Sequence, residues 1–247
     1  MKTLNDANPL FQRVALITGE AALNKFQQAR VLVFGMGGVG GWCAEALVRS
    51  GIGKIGIVDF DAVADSNINR QIQATSRTVG QAKAGALQER LAEINPHCEV
   101  TAWNEIFTRE NAAQFGIENA DYVIDAIDIL NCKLDLIEAS CASGVTLFSS
   151  MGMAQKMDPA RIRVADIWKT HGCPLARLVR EGLRKRNYSG SFTTVFSDET
   201  LPRLGEKTYS QDEYGNRKII NGSIVTVTAS AGMLLASLVL RDIMGRQ

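Results

Sequence analysis

The feature that most restricts this chain is an apolar strand running into glycines spaced G-x-G-x-x-G and then directly into a helix. Arg30 to Phe34 reads as the strand and Gly35-Met36-Gly37-Gly38-Val39-Gly40 as the turn. Trp42, Ala46 and Leu47 then recur at helical spacing until Gly51 and Gly53 end the helix. Glycines placed this way let backbone approach a phosphate closely and aim the first amides of the helix at it. The plainer alternative is a tight turn that packs the helix closely on its strand.

Downstream, apolar runs of strand length alternate with helical patterns. Residues 54–60 read as a strand, 81–94 as a helix stopped by Asn95-Pro96, 99–103 as a strand, 121–126 as a strand followed by a helix from about Lys133, and 145–149 as a further strand. This rhythm predicts an α/β fold, a Rossmann-like, mostly parallel sheet with helices on both faces. Beyond Gly152 the pattern changes. Residues 161–167 and 191–196 alternate as antiparallel strands do, a basic helix covers about 175–186, and 197–221 is polar and irregular. Ser223 to Leu240 carries no charge and reaches the minimum for a membrane span, but its Thr226, Thr228, Ser230, Gly232 and Ser237 suit a tightly packed helix, so a buried C-terminal helix is expected. The whole chain, 1–247, reads as one domain: an N-terminal arm or helix (1–29), a nucleotide-binding core (30–152), and a substrate-side antiparallel extension with its packing helix (153–247).

Composition narrows the function. Acids and bases nearly cancel, leaving a net charge of +1, so a nucleic-acid partner would need a local basic patch. The five cysteines are scattered with no C-x-x-C pair, which argues for a reducing compartment and against an all-thiolate zinc site. No signal-like apolar run opens the sequence, so a cytoplasmic location is expected.

The residues after the glycine turn carry the chemistry. Asp59 ends the second strand about twenty residues on, where an acid accepts hydrogen bonds from ribose hydroxyls. That pattern suits NAD and ATP equally. Asp61, Asn67, Arg70 and Gln71 follow, and Lys83 opens the next helix. Extra cations here favour a triphosphate over a dinucleotide, since Arg and Lys can meet its charged oxygens. Asp128, at the carboxyl edge of the fourth strand, is either a Mg²⁺ ligand or a helix cap, and Lys83 either a phosphate contact or a solvated charge.

Gly35-Met36-Gly37-Gly38-Val39-Gly40, Asp59-x-Asp61, Asn67-x-x-Arg70-Gln71, Lys83 and Asp128, in this order, resemble the ubiquitin-activating-like adenylyltransferase superfamily that contains ThiF and MoeB. Ser50-Gly51-Ile52-Gly53, Glu93-Ile94-Asn95-Pro96, Tyr122 to Asp128, Asp166-Ile167-x-Lys169-Thr170 and Pro174-Leu175 are most similar to its tRNA threonylcarbamoyladenosine dehydratases. The resemblance implies an enzyme that adenylates the threonine carboxylate of N6-threonylcarbamoyladenosine with ATP. The carbamoyl nitrogen then displaces AMP to close a ring, a net dehydration. It implies that Gly35, Gly37, Gly38, Gly40, Asp59, Asp61, Asn67, Arg70, Gln71 and Lys83 hold the nucleotide, that Asp128 positions Mg²⁺, and that Arg13 enters the neighbouring protomer's site in a homodimer. Whether a monovalent cation or a sulfur-transfer partner protein takes part stays open. The chemistry needs negative charge cancelled in advance, and no protein nucleophile, because the attacking nitrogen is in the same substrate. Cys173 is accordingly not expected to be catalytic.

Arg177, Arg180, Arg184, Lys185 and Arg186 recur at helical spacing and are expected either to meet tRNA phosphates or to form a solvated face. The competing functional readings are an adenylyltransferase for the C-terminal glycine of a ubiquitin-like sulfur carrier and a non-catalytic or NAD-binding module. The latter leaves Arg70, Lys83 and Asp128 without a role.

Overall fold

The computed structural model describes residues 9–202, 209–211 and 217–245. Seven strands form one sheet in the order β3-β2-β1-β4-β5-β7-β6: β1 (Arg30–Phe34), β2 (Lys54–Val58), β3 (Glu99–Trp103), β4 (Tyr122–Asp125), β5 (Thr146–Ser150), β6 (Ile162–Asp166) and β7 (Thr193–Ser197). All neighbours pair in parallel except β6, which runs antiparallel to β7 at one edge. The expected sheet and its antiparallel extension are therefore both present.

Strand alternation sends side chains to two cores. Val31 and Val33 of β1 join one with Cys43, Leu47, Leu87 and Leu91, from α3 (Gly40–Arg49) and α4 (Lys83–Ile94). Leu32 and Phe34 join the other with Leu134, Ile137, Val179 and Leu183, from α5 (Leu130–Ala142) and α6 (Pro174–Lys185). Helices cover both faces as a result. At the N-terminus, α1 (Gln12–Thr18) and α2 (Glu20–Gln28) are separated at Gly19.

The C-terminal helix, α7 (Val225–Ile243), is long and apolar enough to span a membrane by composition. It lies instead on α3, burying Val227, Ala231, Leu235 and Val239. Gly232 permits this: a Cβ there would stand 2.4 Å from the Val39 carbonyl oxygen.

Two expectations are corrected. α5 begins at Leu130 rather than near Lys133, because the Lys133 N–H already bonds to the Ile129 carbonyl at 2.9 Å and closes the first turn. The stretch 197–221, expected to be irregular, contains a two-stranded antiparallel ribbon, β8 (Tyr209–Gln211) and β9 (Arg217–Ile219). A ribbon needs only short local pairing and little apolar periodicity to announce it; residues 203–208 and 212–216 lie outside the described residues.

Candidate active site

The order β2-β1-β4 puts a topological switch point between β1 and β4, and the loops leaving their carboxyl ends face each other there. They open on a cavity of about 920 Å³. On the β1 side, Gly35 has φ +90°, and a Cβ on it would meet the Ala126 carbonyl oxygen at 2.6 Å; one on Gly40 would lie 2.0 Å from the Gly35 oxygen. The turn thus excludes side chains at both ends. A Cβ at Gly37 would meet nothing within 4 Å, so no protein contact requires glycine there, and the residue lines the cavity.

Met36 fixes the turn's direction. Its N–H donates to Asp59 Oδ2 at 2.6 Å, and its carbonyl accepts from Gln73 Nε2 at 2.6 Å. Asp59 Oδ1 accepts the Asp61 N–H at 2.8 Å. Burial raises the Asp59 carboxyl above the usual aspartate range, against the opposing Lys83 charge and these backbone hydrogen bonds.

The residues expected at the nucleotide and metal site lie around the same cavity. Gly35, Gly37, Gly38, Asp59, Asp61, Asn67, Arg70, Gln71, Lys83 and Asp128 all line it, while Gly40 stands behind as the first residue of α3. Lys83 Nζ pairs with Asp61 Oδ2 at 2.6 Å. Arg70 is steadied by the Ser66 carbonyl and Asn69 Oδ1, each at 2.9 Å. Asn67 Oδ1 accepts the Ala64 N–H at 3.1 Å, so part of its side chain is engaged in the local turn. Asp128 is exposed to the cavity.

A second wall comes from the end of β5 and the extension: residues 150–156, 172–175, 199–201, 220–221 and Ser223. Lys156, buried, joins three of its segments by donating to the carbonyls of Gly172 (3.4 Å), Ser197 (3.2 Å) and Glu199. Glu199 replies by accepting the N–H groups of Met157 (2.8 Å) and Asp158 (3.0 Å), which hold its carboxyl below the usual range. Cys173 lines this wall, buried, with Sγ 3.8 Å from the Gly152 carbonyl.

Arg13 stands exposed on α1, outside the residues that line its own chain's cavity. The basic residues of α6 divide. Arg177 pairs with Glu181 at 3.3 Å, Arg180 donates to the Thr170 hydroxyl, and Arg184 lies 5.3 Å from the Trp168 ring centre. Arg186 is bound to Asp135 (2.6 Å) and Glu138 (2.8 Å) on α5. Arg177, Arg184 and Lys185 are the exposed members. Gln73, Asp125, Lys133, Lys156 and Glu199 were not singled out by the sequence. A lysine inside the apolar stretch of α5 was the one available signal, for Lys133.

The chain matches the ThiF family over residues 11–247. It is 40% identical over 239 residues to the tRNA threonylcarbamoyladenosine dehydratase of Bacillus subtilis, covering 95% of this chain and 94% of that protein. The Escherichia coli dehydratase is 41% identical over 198 residues, 77% of this chain and 74% of the relative. Among solved structures, E. coli TcdA in complex with ATP superposes with a TM-score of 0.85 at 38% identity, covering 95% of this chain and 93% of TcdA. TcdA in complex with AMP gives 0.84 at 38% identity, over 95% and 94%.

Proposed function

This chain belongs to the ThiF family, and from that premise we propose that it is an ATP-dependent tRNA threonylcarbamoyladenosine dehydratase. The observation that carries the reading is one cavity with two walls. Glycine turn, Asp59, Arg70 and Lys83 make a nucleotide wall, and the extension adds a second wall to the same cavity. The relative from B. subtilis bears the same name and is similar through both walls, since the match covers 95% of the chain.

Each residue then has a task. The first amides of α3 and the Gly37–Gly38 backbone meet the phosphates, Asp59 takes the ribose, and Arg70 and Lys83 offset charge as the substrate carboxylate approaches the α-phosphorus. The carboxylate oxygen bonds to that phosphorus and pyrophosphate leaves. The carbamoyl nitrogen next attacks the acyl carbon of the adenylate, loses its proton, and AMP departs with the former carboxylate oxygen. The balance is the loss of one water from the base.

Asp128 fits a magnesium ion: a single exposed carboxylate beside a triphosphate site is the usual provision for an ion otherwise held by phosphates and water. When bound, magnesium would neutralise phosphate charge. Among the described residues no group of three or more His, Cys, Asp or Glu forms an all-protein metal cage. We propose a cytoplasmic location, a compartment that supplies tRNA. We propose further that the enzyme is a homodimer in which Arg13 serves the neighbouring site; the exposed Leu16 and Ile17 on the same short helix support a covering partner copy. Arg13→Ala should then be inactive alone but partly rescued in mixed dimers that retain one intact arm and one intact site. No rescue would assign Arg13 to its own chain.

The deciding experiment incubates the purified protein with Mg-ATP and tRNA carrying threonylcarbamoyladenosine, followed by nucleoside mass analysis. The reading requires loss of one water from the modified nucleoside, with AMP and pyrophosphate in equal amounts. An unchanged nucleoside overturns it.

A further inference from the structure

The loop from β4 to α5 carries Asp128 into the cavity, and the residue before it is held from behind by an ion pair sealed off from solvent. Lys133 Nζ lies 2.8 Å from Asp125 Oδ2, and both side chains are 0% exposed. Asp125 Oδ1 accepts the Ile127 N–H at 3.1 Å, and Lys133 Nζ donates to the Ile127 carbonyl at 3.0 Å. Both backbone polar groups of Ile127 are thus clamped by the two halves of one charge pair. The Ser149 hydroxyl of β5 donates to Asp125 Oδ2 at 2.6 Å and fixes the carboxylate in turn.

A buried ion pair is a poor device for stability alone, because apolar side chains of similar volume often serve as well or better. What apolar side chains cannot do is hold an N–H and a carbonyl in set directions. Here those groups belong to the residue next to Asp128, and the peptide before them lies against Gly35 of the phosphate turn. We propose that Asp125 and Lys133 are positioning residues for Asp128: they fix the loop so that its carboxylate faces the phosphates in the geometry a magnesium ion requires. The inference rests on the ATP-site reading above and assigns the magnesium affinity of that site to a pair that never touches the ion.

The test is the double variant Asp125→Leu/Lys133→Met of the full chain, beside Asp128→Asn and the triple combination. Three quantities are measured: the melting temperature, the affinity for ATP with and without Mg²⁺, and the Mg²⁺ concentration that half-saturates AMP release. The double variant should stay folded, with a melting temperature lowered as the Ile127 N–H and carbonyl lose their partners, and bind metal-free ATP normally, yet need roughly 10- to 100-fold more Mg²⁺, the usual effect of losing groups that orient a metal ligand. Adding the double substitution to Asp128→Asn should cause no further loss, since the pair acts through that residue. A folded double variant with wild-type magnesium dependence overturns the proposal. So does a double variant that fails to fold, which would make the pair a structural element. Wild-type protein that binds no ATP would instead remove the parent reading, and this inference with it.

Discussion

Lys83 reaches Asp61 at 2.6 Å with a nearly buried ammonium, while the carboxylate it meets is half exposed. The cation is therefore held at the cavity wall before any nucleotide arrives. Replacing Lys83 with Ala should lower AMP formation by about 10²- to 10³-fold, as loss of one preorganised charge-stabilising group does elsewhere. Stability should change little, since a partly exposed pair is worth about 0–1 kcal/mol. Arg70→Ala should behave alike. Circular dichroism and product assays decide the matter, and near-normal turnover would remove either residue from the site.

Asp59 gives the site a pH dependence. Burial raises its carboxyl, so on acidification it takes up a proton sooner than an ordinary aspartate. The ionised form is the better acceptor for ribose hydroxyls. ATP affinity should accordingly fall as pH drops through this raised pKa, and Asp59→Asn should bind weakly with a flat profile. The sign for stability is opposite: ionising Asp59 costs the folded state, so its contribution becomes more favourable as pH falls. A fluorescent-nucleotide titration across pH checks this; parallel curves for the two proteins would refute it.

Lys156 ties together the second wall of the cavity. Lys156→Met takes the ammonium from the carbonyls of Gly172, Ser197 and Glu199. Each acceptor left buried without a donor costs about 1–3 kcal/mol. The melting temperature should drop and KM for tRNA should rise, with ATP affinity unchanged. An equal loss of ATP and tRNA binding would show that the lysine supports the whole cavity instead.

On α6 we propose phosphate contact by the exposed Arg177, Arg184 and Lys185; Arg186 is already neutralised by Asp135 and Glu138, and Arg177 is partly engaged by Glu181. Replacing Arg184 and Lys185 with Ala should flatten the log–log salt dependence of tRNA affinity by roughly 1.4 to 1.8 units, at 0.7 to 0.9 per released contact. Arg186→Ala should alter stability more than salt slope. Binding curves at several salt concentrations separate these outcomes, and an unchanged slope in the double variant would leave α6 a solvated face.

Much of the nucleotide wall was legible because its determinants are local. A strand, a glycine turn and a helix occupy consecutive residues, and the turn allows no side chain at Gly35 or Gly40. The antiparallel edge was legible from alternation in β6 and β7. Gln73 was not: a glutamine after the phosphate segment looks like any surface residue until folding puts its amide against the Met36 carbonyl. Asp125 likewise reads as one more acid beside Asp128, and only burial distinguishes its role.

The sequence by itself determined the parallel α/β order, the glycine turn that opens on the cavity and the packing helix at the C-terminus, since periodicity and turn chemistry act between near neighbours in the chain. Only the tertiary structure decided which charges are free. Lys133 pairs with Asp125, Arg186 with Asp135 and Glu138, and Lys156 with the carbonyls of Gly172, Ser197 and Glu199. A buried charge must find its partner wherever packing brings one, and no local pattern records where that is.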